Sequence, residues 1–142
     1  MGIASRFFCT VAFGCVFYCG AATEIFVDCT RPDDSGDGLT RETAKRTIQA
    51  AVDATSNGTS ASRNLITVLP GDYEEGGVKV DADNVLSRVS FKGKKYITLQ
   101  AADPTAKPRI IGRHDPDKSN GIGPNAIRCV YGNGSTENGI VL

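Results

Sequence analysis

Several groups of residues have the types and spacing for chemistry. Arg113-His114-Asp115-Pro116-Asp117 is the densest polar cluster in the chain. Arg113 or His114 there could act as a base, with Asp115 and Asp117 as oxygen ligands for calcium. The alternative is a solvated corner between strands in which Pro116 sets the turn. Asp33-x-Ser35-x-Asp37-Gly38 matches the first half of a calcium loop, with oxygens at alternate positions and Gly at the sixth. Ala44 stands where the twelfth position needs a bidentate carboxylate, so an Asx-rich turn competes with calcium. Lys92-Gly93-Lys94-Lys95 is a short basic run that could meet an anionic polysaccharide or be a solvated loop. Asn57-Gly58-Thr59 and Asn133-Gly134-Ser135 are glycosylation sequons, relevant only in a eukaryotic host. His114 is the sole histidine and no CxxC occurs, which argues strongly against zinc. No nucleophile elbow, P-loop or dinucleotide fingerprint is present.

These groups sit in a chain of 142 residues, room for one domain. Lys and Arg total 16 against 16 Asp and Glu, so there is no basic excess of the kind nucleic-acid binding needs. Sixteen glycines favour many turns over long helices. The first 22 residues read as a secretory signal peptide. Arg6 supplies the charge, Phe7 to Tyr18 is apolar, and Gly20-Ala21-Ala22 gives a cleavage site. Twelve apolar residues are too few to span a bilayer, which takes about 20. Export implies a secreted protein, whether extracellular, periplasmic or at the cell surface, with no membrane span after cleavage. Loss of 22 of the 142 residues leaves 120, and only Cys29 and Cys129 of the five cysteines. In an oxidising compartment those two can bridge, or stay as unpaired thiols.

The positioning elements follow from periodicity. Glu24–Asp28 alternates and is rich in β-formers, so it is expected as a first strand. Asp33 to Gly38 is a turn cluster. Thr47 can cap a helix whose apolar stripe is Ile48, Ala51, Val52 and Thr55, stopped at Asn57-Gly58. Beyond Arg63 short apolar runs recur: Ile66–Leu69, Val78–Val80, Ile97–Leu99, Ile110-Ile111, Ile127–Val130 and Ile140–Leu142. Read as units of two strands with a turn between, they repeat about every 30 residues, a solenoid signature, with a small β-sandwich as the competing reading.

From Ile25 to Gly112 the chain resembles the opening of right-handed parallel β-helix proteins of the pectate-lyase-like superfamily. The resemblance is carried by Phe26-Val27-Asp28, SGDGLTRETAKRTIQAAVDA (Ser35–Ala54), ITVLPGDYEEGGVKV (Ile66–Val80) and KKYITLQAADPTAKPRIIG (Lys94–Gly112). It implies an all-β solenoid whose N-terminal coils carry one amphipathic capping helix, with Gly71 permitting a sharp corner and Tyr73 covering the coil edge. The expected organisation is a signal peptide at 1–22, a strand, turn and capping helix at 23–63, and the first coils at 64–142. Such scaffolds host polysaccharide lyases and esterases, but their basic and carboxylate sets lie on later coils, and no catalytic residue here matches them.

The expectation for function is therefore the front end of a secreted β-helix that acts on or binds an acidic polysaccharide, with catalytic coils beyond this chain. A non-catalytic, adhesin-type glycan-binding or spacer β-helix is the alternative. Arg113, His114, Lys92, Lys94 and Lys95 are the candidate sugar-binding residues, and Asp33, Ser35 and Asp37 the candidate calcium ligands. The chain stops within the apolar run Gly139–Leu142, so an uncapped last coil is expected to self-associate end to end.

Overall fold

The computed structural model describes residues 22–80 and 86–132. The signal-peptide residues 1–21, the Asn133 sequon and the apolar end at Ile140–Leu142 lie outside them. In chain order the elements are β1 (Glu24–Val27), α1 (Ile48–Ala54), β2 (Asn64–Val68), β3 (Asp72–Tyr73), β4 (Val78–Lys79), β5 (Leu86–Ser90), β6 (Ile97–Ala101), β7 (Arg109–Ile110) and β8 (Ile127–Tyr131). The protein is mostly β with one short helix, as its alternating β-formers and frequent glycines require.

The strands form three small sheets. The first is parallel in the order β1-β2-β6, and one of its rungs joins Ile25, Ile66 and Leu99. The second pairs β3 with β7 in parallel. In the third, β5 lies between β4, antiparallel, and β8, parallel. Ile25, Val27, Ile66, Val68, Val89, Phe91 and Ile97 are buried together with Tyr73. In the same sheet Gln100 Nε2 donates to its row partner Thr67 Oγ1 at 3.1 Å, and the Thr67 hydroxyl donates diagonally to Glu24 Oε1 at 2.5 Å, a polar ladder across all three strands.

The helix closes one side of this core with Ile48, Ala51 and Val52. Thr47 is its N-cap, accepting from the Ala50 amide at 3.2 Å. Asp34 in turn accepts from the Thr47 amide at 2.8 Å and the Thr47 hydroxyl at 2.9 Å, which locks the preceding turn to the helix start. Gln49 reaches across to β5, where its Oε1 accepts from the Ser90 amide at 2.7 Å. Among the described residues no helix is long and apolar enough to cross a membrane.

The pairings correct the expected repeat. Ile110 is paired with Tyr73, and Val78 instead pairs with Ser87. Ile127 does not open a third unit but pairs with Leu86, in a strand that the apolar runs had not revealed. The parallel partners therefore do not recur at the expected step of about 30 residues. Their steps are 33 residues from Ile66 to Leu99, 37 from Tyr73 to Ile110 and 41 from Leu86 to Ile127. The steps grow because the second set of connections is longer, with seven residues at 102–108 against three at 69–71. Tyr73 does not cover an edge but lies inside, 6% exposed, its hydroxyl 2.9 Å from the Leu69 carbonyl and 3.1 Å from that of Val27. Gly71 is needed where Cys29 crosses it, since a Cβ there would lie 2.4 Å from Cys29 Sγ.

Candidate functional site

The Arg113–Asp117 cluster is held by backbone. Arg113 and Ile127 exchange amide–carbonyl bonds at 2.8 and 2.7 Å, fixing the root of the loop that follows. Asp115 is 2% exposed, and its carboxylate accepts from the amides of Asp117 at 3.0 Å and Asn125 at 3.1 Å. Burial alone would raise its pKa, but those amide bonds, with Lys118 nearby, outweigh it and hold the carboxyl below the ordinary 3.8. His114 and Arg113 are exposed beside it, with Gly121 packed against the His114 ring. Asp115 therefore organises this loop.

A pH dependence follows with a definite sign. A carboxyl whose folded pKa is depressed contributes stability that is present above its unfolded value and lost as pH falls through the folded one. Stability should thus be level above pH 3.8 in this respect and decline below it. Asp115→Asn should flatten that acid limb in urea unfolding followed across pH. An unchanged acid limb would contradict this role.

The lysine run is divided. Lys94 Nζ donates to the carbonyls of Thr55 at 2.7 Å and Asp53 at 3.3 Å, neutralising the open carbonyl end of α1. Lys92 Nζ donates to the Val80 carbonyl at 3.0 Å. Lys95 is exposed, its amide bonded to Asn57 Oδ1 at 2.9 Å. The acidic turn is likewise local. Asp33 accepts from the Ser35 amide at 2.9 Å, and Asp37 from the Leu39 amide at 3.0 Å and the Thr43 hydroxyl at 2.6 Å. These bonds hold both carboxyls below their ordinary value. Among the described residues no three His, Cys, Asp or Glu side chains converge as metal ligands would. Cys29 and Cys129 are separate free thiols, the first half-buried and the second exposed.

The structure draws attention instead to a cavity of about 190 Å³ lined by Cys29, Arg46, Tyr73, Glu74, Glu75 and Arg88 among others. Arg46 pairs with Glu75 and also donates to the carbonyls of Arg31 at 3.1 Å and Pro32 at 2.9 Å. At the rim Asp72 is paired with Arg109, whose Nε lies 2.6 Å from Asp72 Oδ1. Arg88 is only 9% exposed, its Nε donating to the Ile111 carbonyl at 2.8 Å and its Nη1 to that of Gly76. Burial lowers its pKa, and so does Arg113. Burial also keeps the Tyr73 phenol protonated well above its usual range. The cavity thus sets a buried cation, Arg88, and a half-buried thiol behind an acidic rim, while the Tyr73 hydroxyl is engaged by backbone carbonyls.

Sequence reasoning missed Arg88. The available signal was Leu86-Ser87-Arg88-Val89-Ser90-Phe91, where an arginine interrupts a run of strand-forming residues. Of the candidate site residues read from sequence, Cys29 alone lines this cavity; Arg113 bears on Arg88 electrostatically, while the acidic turn and the lysine run are engaged elsewhere. Compared with known proteins, the chain matches no family model, no curated protein and no solved structure.

Proposed function

We propose that this chain forms the N-terminal coils of a secreted right-handed parallel β-helix of the pectate-lyase-like type, and that the protein binds or acts on an acidic polysaccharide. One observation carries the scaffold reading. Three strands in chain order, β2, β3 and β5, each take a parallel partner in the same order, β6, β7 and β8, with β4 a two-residue antiparallel addition beside β5. Successive coils of a solenoid pair in this way, whereas a sandwich built from hairpins pairs its neighbours antiparallel. The Glu24–Thr67–Gln100 ladder and the helix packed beside β1, β2 and β5 fit the same reading. Among the described residues β6 and β7 each have a strand on one side only, and the outer side of β8 is closed at Ile127 by Arg113, a geometry on which further coils could stack beside β6 and β7.

The acidic-polysaccharide part rests on the family resemblance and on Arg88. A second reading, a non-catalytic glycan-binding or spacer protein, is favoured by one feature: Asp115, Lys92 and Lys94 hold backbone and so are not poised as acid or base. Gel electrophoresis of the chain through matrices containing polygalacturonate, alginate or neutral dextran tests the proposal. Retardation in an acidic matrix but not in dextran is the expected result. Equal mobility in all three would overturn it. The same chain mixed with uronate polymers should generate no 4,5-unsaturated product by ultraviolet absorbance, and turnover would place a catalytic set within it.

A further inference from the structure

We infer that the cavity beside Tyr73 is a binding site for a small monocarboxylate, anchored by Arg88. The inference deepens the polysaccharide reading: the choice of a sugar acid as ligand rests on it, while the chemistry of the site does not. The charges around the cavity leave one position open. Arg46 is matched by Glu75 and Asp72 by Arg109, both as ion pairs. Arg88 is buried and its two bonds go to neutral carbonyls, those of Ile111 and Gly76. Its Nη2 donates to no described residue and is not fully buried, and Arg88 lines the cavity.

A guanidinium presents its donors as a planar fork that matches a carboxylate, and Arg88 is in no ion pair, Glu74 and Glu75 acting on it only from a distance, so a carboxylate in the cavity would give it a closer counter-charge. Size and rim charge narrow the ligand. At about 190 Å³ the cavity is smaller than the roughly 300–1,000 Å³ of pockets for drug-sized ligands, so it suits one small acid. Exposed Glu74, together with paired Asp72 and Glu75, makes the rim acidic and disfavours a dianion such as phosphate.

The test is an amide NMR titration of the full chain with galacturonate, galactose and inorganic phosphate. Saturable shifts at Tyr73, Gly76 and Val89 are expected with galacturonate, with none from galactose and smaller ones from phosphate. Arg88→Lys should weaken galacturonate about tenfold, because the ammonium keeps the charge and loses the fork. Glu74→Gln, on an exposed side chain, should strengthen it about two- to threefold by removing a competing charge. The second variant keeps the test decisive if the first fails to fold. Shifts no larger than those of galactose, or affinity unchanged in both variants, would overturn the site. If the chain is retarded by polygalacturonate equally with and without Arg88→Lys, the site fails and the polysaccharide reading stands. If galacturonate titrates the cavity but no acidic polymer retards the chain, the reading fails and the site stands.

Discussion

Phe91→Ala is expected to lower the free energy of unfolding by about 3–5 kcal/mol, the range for removing a fully buried aromatic ring. Phe91 is 1% exposed within the cluster that holds Ile48, Val52, Val89 and Ile97. Partial collapse into the vacated space would reduce the loss, but the backbone there is pinned at both ends. The Phe91 amide donates to the Tyr131 carbonyl at 3.0 Å, and its own carbonyl accepts from Lys94 at 3.0 Å. The chain therefore cannot readily slide inward to fill the cavity. Urea unfolding followed by circular dichroism reads the change. A loss below about 1 kcal/mol would match a surface substitution and would contradict the burial of this segment.

Gly38→Ala is expected to cost about 2–3 kcal/mol through left-handed strain and overpacking together. Gly38 has φ +80°, and a Cβ added to it would lie 2.7 Å from Ile25 Cγ2. Its carbonyl accepts from the Phe26 amide at 2.7 Å and its amide donates to the Thr43 carbonyl at 2.8 Å, so the residue seals the free edge of β1 and has little room to shift. Gly93 is the internal control. It has a similar φ of +76°, but an added Cβ would meet nothing within 4 Å. Gly93→Ala should therefore show the strain alone, about 1–2 kcal/mol. Equal losses at both positions would show that the Ile25 contact does not matter.

The first part of the fold was legible because its signals are local. The alternation of Glu24–Val27, the Thr47 cap and the stripe Ile48, Ala51, Val52 each predict their element from a few neighbouring residues, and each is found. The order of stacking was not legible. Apolar runs locate strands but not partners, and connections four residues longer in the second set shift every later spacing. Leu86–Ser90 was invisible because serine and arginine fill three of its five positions, although Ser87, Arg88 and Ser90 are all buried.

The candidate site was less legible still, for a related reason. A charged residue in a sequence reads as surface, and nothing local marks the carbonyls that receive it. Asp115 reads as a metal ligand but holds two amides, Lys94 reads as a sugar contact but closes a helix, and Arg88 gives no sign in the sequence of the carbonyls it binds. Only tertiary packing brings Arg88 to one cavity with Tyr73 and Cys29, through its bonds to the Ile111 and Gly76 carbonyls.

The scaffold on which the functional proposal depends is tested most directly by methyl-resolved nuclear Overhauser spectroscopy of the full chain. Four contacts between parallel strands are predicted: Ile66 with both Ile25 and Leu99, Tyr73 with Ile110, and Leu86 with Ile127. Ile127 in contact with Ile97, or antiparallel pairing of β2 with β6, would instead describe a β-sandwich and contradict the stacked coils.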